Sequence, residues 1–105
     1  MTDIKKLLDK AKELEKNMKE SQKRISEIKA DGVSGGDKVK ITLNGDGELV
    51  KIYIAPDLLN EKIDILYDLI IAAHNNAKIS IKQKTSEEIS KVSTDLGVQG
   101  IKWPF

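Results

Sequence analysis

The chain contains no cysteine, which excludes a disulfide framework and any thiolate-based metal or redox centre. Such a composition suits a reducing cytosol. No apolar run approaches the roughly 18 residues that a membrane span needs. The opening stretch, MTDIKKLLDK, has no uninterrupted apolar segment and so does not read as a signal peptide. A soluble, cytoplasmic protein without a membrane partner is the expectation. Histidine occurs once, at His74, too few to complete a usual zinc site, so neither a metal nor a cofactor is expected. Arginine also occurs once, at Arg24, and the aromatics are one Trp, two Tyr and one Phe. Neither sign of charge dominates: 18 basic residues face 17 acidic ones, for a net +1.

What is present is organised. A length of 105 residues predicts one domain with a small core. Residues 1–30 read as a helical arm, 31–56 as a sheet, 60–96 as a core helix with a C-terminal arm, and 97–105 as a tail. In the first segment a heptad frame places Ile4, Ala11, Met18 and Ile25 at a, and Leu7, Leu14, Ser21 and Ile28 at d. Seven of the eight are apolar, and nearly everything between them is charged or polar. This predicts an amphipathic helix over 3–29, with a seam narrow enough for coiled-coil packing and a length of about 40 Å. A small domain cannot cover such a helix, so its outer half projects or lies along a partner.

Gly32, Gly35 and Gly36 are expected to end the helix and loosen the chain. Val39, Ile41 and Leu43 then alternate with polar residues as a strand of period two. Asn44-Gly45-Asp46-Gly47 supplies residues that accept the positive φ of a tight hairpin. Val50, Ile52 and Ile54, alternating with Leu49, Lys51 and Tyr53, form the return strand. A short third strand is plausible near Ala30–Ser34, and Pro56 stops the sheet. The fold class is therefore α+β: a long N-terminal helix, a three-stranded antiparallel sheet and a long C-terminal helix.

From about Asn60 the period becomes helical again. Leu66, Tyr67, Ile70, Ala73, His74, Ala77 and Ile81 fall in one arc, and Ile65, Leu69, Ala72 and Ile79 in the opposite one. A helix apolar on two opposed sides needs two covers. The sheet supplies one, and a second copy of the chain is expected to supply the other, against Ile65, Leu69, Ala72 and Ile79. Thr85-Ser86-Glu87-Glu88 fits a capping box, where the helix is expected to break or kink. Gly97 fits a C-cap. Trp103 lies in a tail, VQGIKWPF, whose order the sequence leaves open.

Catalytic signals are lacking. His74 sits within an apolar arc with no Asp, Glu or Ser three or four residues away on that arc to orient it, so a packed structural ring is expected. SGG and NGDG match no phosphate-loop pattern. The carboxylates spread over helical faces without an obvious pair. No enzyme activity and no small-molecule substrate are expected.

The basic excess lies in the first segment, where residues 1–30 carry nine basic and six acidic residues. Lys5, Lys12 and Lys19 recur at b, and Lys16 and Lys23 sit beside them at f. That line of ammonium groups matches the phosphates of a duplex, whose neutralisation releases counterions. Glu13, Glu20 and Glu27 follow c, and Glu15–Lys19 and Glu20–Arg24 are spaced as i,i+4 pairs, the pattern of an ordinary solvated face. The candidate contacts to double-stranded DNA are Lys5, Lys12, Lys16, Lys19, Lys23 and Arg24. Lys78, Lys82, Lys84 and Lys91 on the last helix are the weaker set. Lysine meets phosphate as a point charge and specifies no base.

In order and spacing, the charged first helix, SGGDKVKITLNGDGELVKIYI, APDLL at 55–59, LYDLIIAAHNNA at 66–77 and the closing Pro104-Phe105 resemble the YbaB/EbfC family. Pro56, Leu58, Leu59, Leu66, Asp68, Leu69, Ala73, Asn75 and Ala77 occupy positions like those of its motifs. His74 stands where that family frequently has an aromatic. The resemblance implies a tweezer-like homodimer that binds duplex DNA in the bacterial nucleoid and influences gene expression. The alternative is a dimeric interaction module whose arms hold a partner protein at Leu7, Leu14, Met18 and Ile25.

Overall fold

A computed structural model describes residues 2–95. The Gly97 cap, the tail and its Trp103 lie outside the described residues. Helix α1 spans Thr2–Glu27, followed by strands β1 (Lys29–Ser34), β2 (Val39–Asn44) and β3 (Leu49–Ile54), a 3-10 turn over Pro56–Asn60, and helix α2 over Ile63–Asp95. The two helices flank one antiparallel sheet of order β1-β2-β3, an α+β arrangement. The molecule measures 73 × 22 × 16 Å with a radius of gyration of 19.9 Å. A compact chain of this length would have a radius near 13 Å.

The core grows from the alternation in β2. Val39, Ile41 and Leu43 are buried while Lys40 between them is exposed. Their partners on β1 are Ser34, Gly32 and Ala30, so β1 presents small residues to the same side. Ala73, Ala77 and Ile81 of α2 pack there, and Leu58 closes the cluster from the 3-10 turn. The short third strand expected near Ala30–Ser34 is present as β1, and Gly32, also read as loosening the chain, lies in its middle. A Cβ there would come within 2.6 Å of the Ala77 Cα and nearer still to Ala77 N and Ala73 O. Glycine is required because helix backbone rests on strand backbone. Three side-chain hydrogen bonds fasten the contact. Ser34 Oγ donates to Leu69 O at 2.6 Å, Asn76 Nδ2 to Val33 O at 2.9 Å, and Lys84 Nζ to Lys29 O at 3.0 Å.

The β1–β2 turn carries Gly35, Gly36 and Asp37 at φ of 62°, 66° and 69°. In the β2–β3 turn Gly47 takes φ 81°, and Asn44 Oδ1 accepts from Asp46 N–H (3.0 Å) and Glu48 N–H (2.9 Å). This turn also holds the end of α1. Gly45 N–H donates to Ser26 O at 3.3 Å, using one of the carbonyls a helix end leaves orphaned. A Cβ on Gly45 would sit 2.7 Å from the Ile25 carbonyl carbon.

Several expectations are corrected. The first helix ends at Glu27 rather than 29, so Ile28, assigned a d position, lies beyond it. β2–β3 pairing jumps from Thr42↔Lys51 to Leu43↔Leu49. That bulge leaves Val50 unopposed and turns Leu49 to the inner side with Ile52 and Ile54. No break occurs at the capping-box pattern, and α2 is continuous for 33 residues. Thr85 Oγ1 instead donates back to Ile81 O (2.8 Å) and Lys82 O (3.1 Å), which satisfies the hydroxyl inside the helix.

Candidate nucleic-acid interface

α1 displays its charges because little of it is covered. Ile4, Leu7, Leu8, Leu14 and Met18 all remain exposed. Burial begins only at Ser21, followed by the half-buried Ile25. Ser21 and, on α2, Ile89 are buried outside the main core cluster, and their burial marks where the two helices touch. The stretch before Ser21 is thus an arm of about 28 Å. Asp3 in its first turn and Arg24 in its last both complement the helix dipole.

Lys5, Lys12, Lys16, Lys19 and Lys23 are all exposed. Positions b and f lie about 40° apart around a helix, so the five form one stripe. Of the five, only Lys19 has an ion-pair partner among the described residues, Glu15 at 3.4 Å, with both side chains largely in water. Such an exposed pair is weak and leaves the ammonium available. The second spaced pair does not form: Arg24 Nη2 donates to Ser21 Oγ at 3.3 Å instead of meeting Glu20. Arg24 is therefore held along its own helix at the root of the arm.

The four lysines of α2 divide. Lys84 is held by the Lys29 carbonyl. At 100° per residue Lys84 and Lys91 share one side of the helix, while Lys78 and Lys82 lie on another. Lys78 and Lys82 line a cleft of about 570 Å³ with His74, Ser86, Ile81 and the β2–β3 turn. His74 is exposed, which corrects the packed reading. α2 lies across β1 and β2, and His74 lines the cleft beside the β2–β3 turn. The signal available in sequence was the i, i+4, i+8 spacing of His74, Lys78 and Lys82.

Of the residues expected to meet a second copy, Ile65 and Ile79 are exposed, at 43% and 65%. Ala72 is half-buried, and Leu69 packs against the core of its own chain. Further uncovered apolar groups occur at Leu49, Ile52, Ile63, Tyr67 and Ile71. One charged contact outside the helices is well defined. Lys38 Nζ meets Asp57 Oδ2 at 2.6 Å, tying the end of the β1–β2 turn to the 3-10 turn. That hydrogen bond, reinforced by charge attraction, raises the Lys38 ammonium above its ordinary pKa and holds the Asp57 carboxyl below its own.

Residues 1–96 match the model of the YbaB/EbfC DNA-binding family. The chain belongs to that family. Among its relatives, a nucleoid-associated protein of Brucella anthropi is 40% identical over 107 residues, covering all of both chains. A nucleoid-associated protein of Brucella ovis is 39% identical with the same coverage. An uncharacterized protein from Helicobacter pylori shares the fold in its crystal structure, with a TM-score of 0.61 at 20% identity over 86% of this chain and 91% of that one. No described helix in this YbaB/EbfC member is long and apolar enough to cross a membrane. Among the described residues no three His, Cys, Asp or Glu side chains gather as metal ligands would.

Proposed function

We propose that this chain is a nucleoid-associated protein that binds double-stranded DNA as a homodimer, without catalysis, and through that occupancy influences gene expression. The observation that carries the reading is the α1 stripe: five exposed lysines on one side of the helix, four of them on its uncovered arm and Lys23 at the root, with only Lys19 of the five in an ion pair among the described residues. Family membership and the names of the Brucella relatives support it. Each lysine that neutralises a phosphate releases a counterion, so binding is salt-dependent and indifferent to sequence. Arg24, the single arginine and so the one planar guanidinium fork, is engaged with Ser21.

Dimerisation is supported by uncovered apolar surface. Leu49 and Ile52 point inward from β3 with no cover, and Tyr67, Ile71, Ile65 and Ile79 are exposed on α2. Surface of that extent on one small chain marks a contact site. A second copy covering it would set two lysine-bearing arms at a fixed separation in the cytoplasmic nucleoid. The test is a mobility-shift titration of wild type and the Lys12→Glu, Lys16→Glu double variant at two salt concentrations. The double variant is expected to stay dimeric and lose affinity. Equal affinity in the two proteins would refute the proposal.

The exposed seam of α1 favours a second reading, in which the arms grip a partner protein. Salt-tolerant binding abolished by Leu14→Asp would support that reading over DNA.

A further inference from the structure

The cleft between the β2–β3 turn and α2 is built for an anion. Its volume of about 570 Å³ lies within the range of small-ligand sites. His74, Lys78 and Lys82 stand one turn apart along its α2 wall, and Ser86 follows at the far end. Leu43 and Ile81 line it with apolar surface, and Gly45 and Gly47 bring no side chain to it. Two ammonium groups oppose one carboxylate, Asp46, the only acidic side chain in the lining. Neither lysine has an ion-pair partner among the described residues.

The donors available to a ligand can be enumerated. Backbone N–H groups are taken: Gly45 by Ser26 O, Gly47 by Asn44 O, and Asp46 by Asn44 Oδ1. Thr85 donates back into its own helix. The Lys78 and Lys82 ammoniums, the His74 ring and the Ser86 hydroxyl remain. They line up along one wall beside an apolar surface, a pairing suited to an anionic head on a carbon framework.

A second copy of the chain is a poorer occupant. Covering Lys78 and Lys82 would bury two charges against one carboxylate, which is unfavourable. The uncovered apolar groups Tyr67 and Ile71 lie toward the other end of α2, away from both lysines.

We propose that this cleft binds a phosphate ester, with the phosphate against Lys78, Lys82 and His74 and the organic portion over Leu43 and Ile81. The ester comes from the DNA backbone at the root of the arms or from a free nucleotide. The first source deepens the DNA reading above, and the second stands without it.

The test titrates the full chain with deoxyadenosine 5′-monophosphate, with inorganic phosphate, and with a 20-base-pair duplex. Wild type is compared with Lys78→Gln/Lys82→Gln and with His74→Gln, all at exposed positions. Wild type should bind the mononucleotide saturably and more tightly than inorganic phosphate, and the double lysine variant should bind it at least tenfold more weakly. Loss of mononucleotide binding alone supports a free-nucleotide source, while a parallel loss of duplex affinity supports the DNA backbone. Retained mononucleotide binding in Lys12→Glu, Lys16→Glu separates this site from the arm, so the DNA reading can fail while the cleft stands. Unchanged binding of both ligands in the cleft variants would overturn the proposal. So would a shift in the dimer equilibrium without a loss of ligand, because a second copy would then occupy the cleft.

Discussion

Replacing Gly32 with alanine should strongly destabilise the protein, although it adds one methyl group. The new Cβ would lie 2.6 Å from the Ala77 Cα and closer to Ala77 N and Ala73 O, against an ordinary carbon–carbon contact of about 3.5–4.0 Å. These are backbone atoms of α2, and no rotamer change can move them aside. β1 and α2 must separate by about 1 Å. Overpacking of this kind costs about 1–3 kcal/mol even where side chains can yield. Separation would also stretch the Ser34–Leu69 and Asn76–Val33 hydrogen bonds, now 2.6 and 2.9 Å, each worth about 1 kcal/mol. The expected loss is about 3 kcal/mol or more, which lowers Tm by roughly 12 °C or more in a chain of this size. The assay is thermal unfolding followed by circular dichroism at matched protein concentration, because association would otherwise shift Tm. Gly36→Ala is the control: nothing lies within 4 Å of its Cβ position, and its φ of 66° should cost only about 1 kcal/mol. A Gly32→Ala protein less than about 1 kcal/mol below wild type would refute the backbone-on-backbone account.

Other measurements probe the remaining links. If the five stripe lysines of one arm each neutralise a phosphate, log affinity against log salt should have a slope of about −4.5, or roughly a 500-fold loss between 50 and 200 mM; a flat titration would exclude phosphate contacts. Ile71→Asp, at an exposed apolar site on α2, should shift sedimentation toward the monomer while leaving helix content intact, and unchanged association would place the contact elsewhere. For the Lys38–Asp57 pair the signs are opposite. Asp57 is depressed from 3.8, so its contribution exists above that pH and fades as pH falls through the lower folded value. Lys38 is raised from 10.5, so its contribution exists below that pH and fades as pH rises through the higher folded value. The Tm difference between wild type and Asp57→Asn should thus be constant across neutral pH and shrink below 3.8, and a difference that grows in acid would contradict the pairing.

Much of the architecture was legible because it is written in local periods. The alternation of Val39, Ile41 and Leu43, the turn at 44–47 and the long apolar-and-charged repeat of α1 each depend on near neighbours. What escaped depended on distant ones. A strand through Gly32 was expected, but only Ala73 and Ala77 lying against it explain why that strand needs glycine there. Thr85 opens a plausible cap, yet a hydroxyl that turns back to Ile81 O removes the reason for the helix to stop. The bulge opposite Leu43 reversed the facing of Leu49, which a strict period of two cannot anticipate. His74 was assigned to packing because its neighbours in sequence are apolar, whereas in the fold it stands exposed on the wall of the cleft. In the candidate interface, the α1 stripe was visible as a heptad spacing. The recruitment of Lys84 to the Lys29 carbonyl and of Arg24 to Ser21 required the fold.

The stretched outline carries a consequence for how the particle behaves in solution. A radius of gyration of 19.9 Å equals that of a compact globule of roughly 330 residues. A solitary protomer would therefore leave a gel-filtration column early, near the place of a trimer of round proteins. Elution volume is thus a poor judge of stoichiometry here, and absolute mass from light scattering is the quantity that counts subunits.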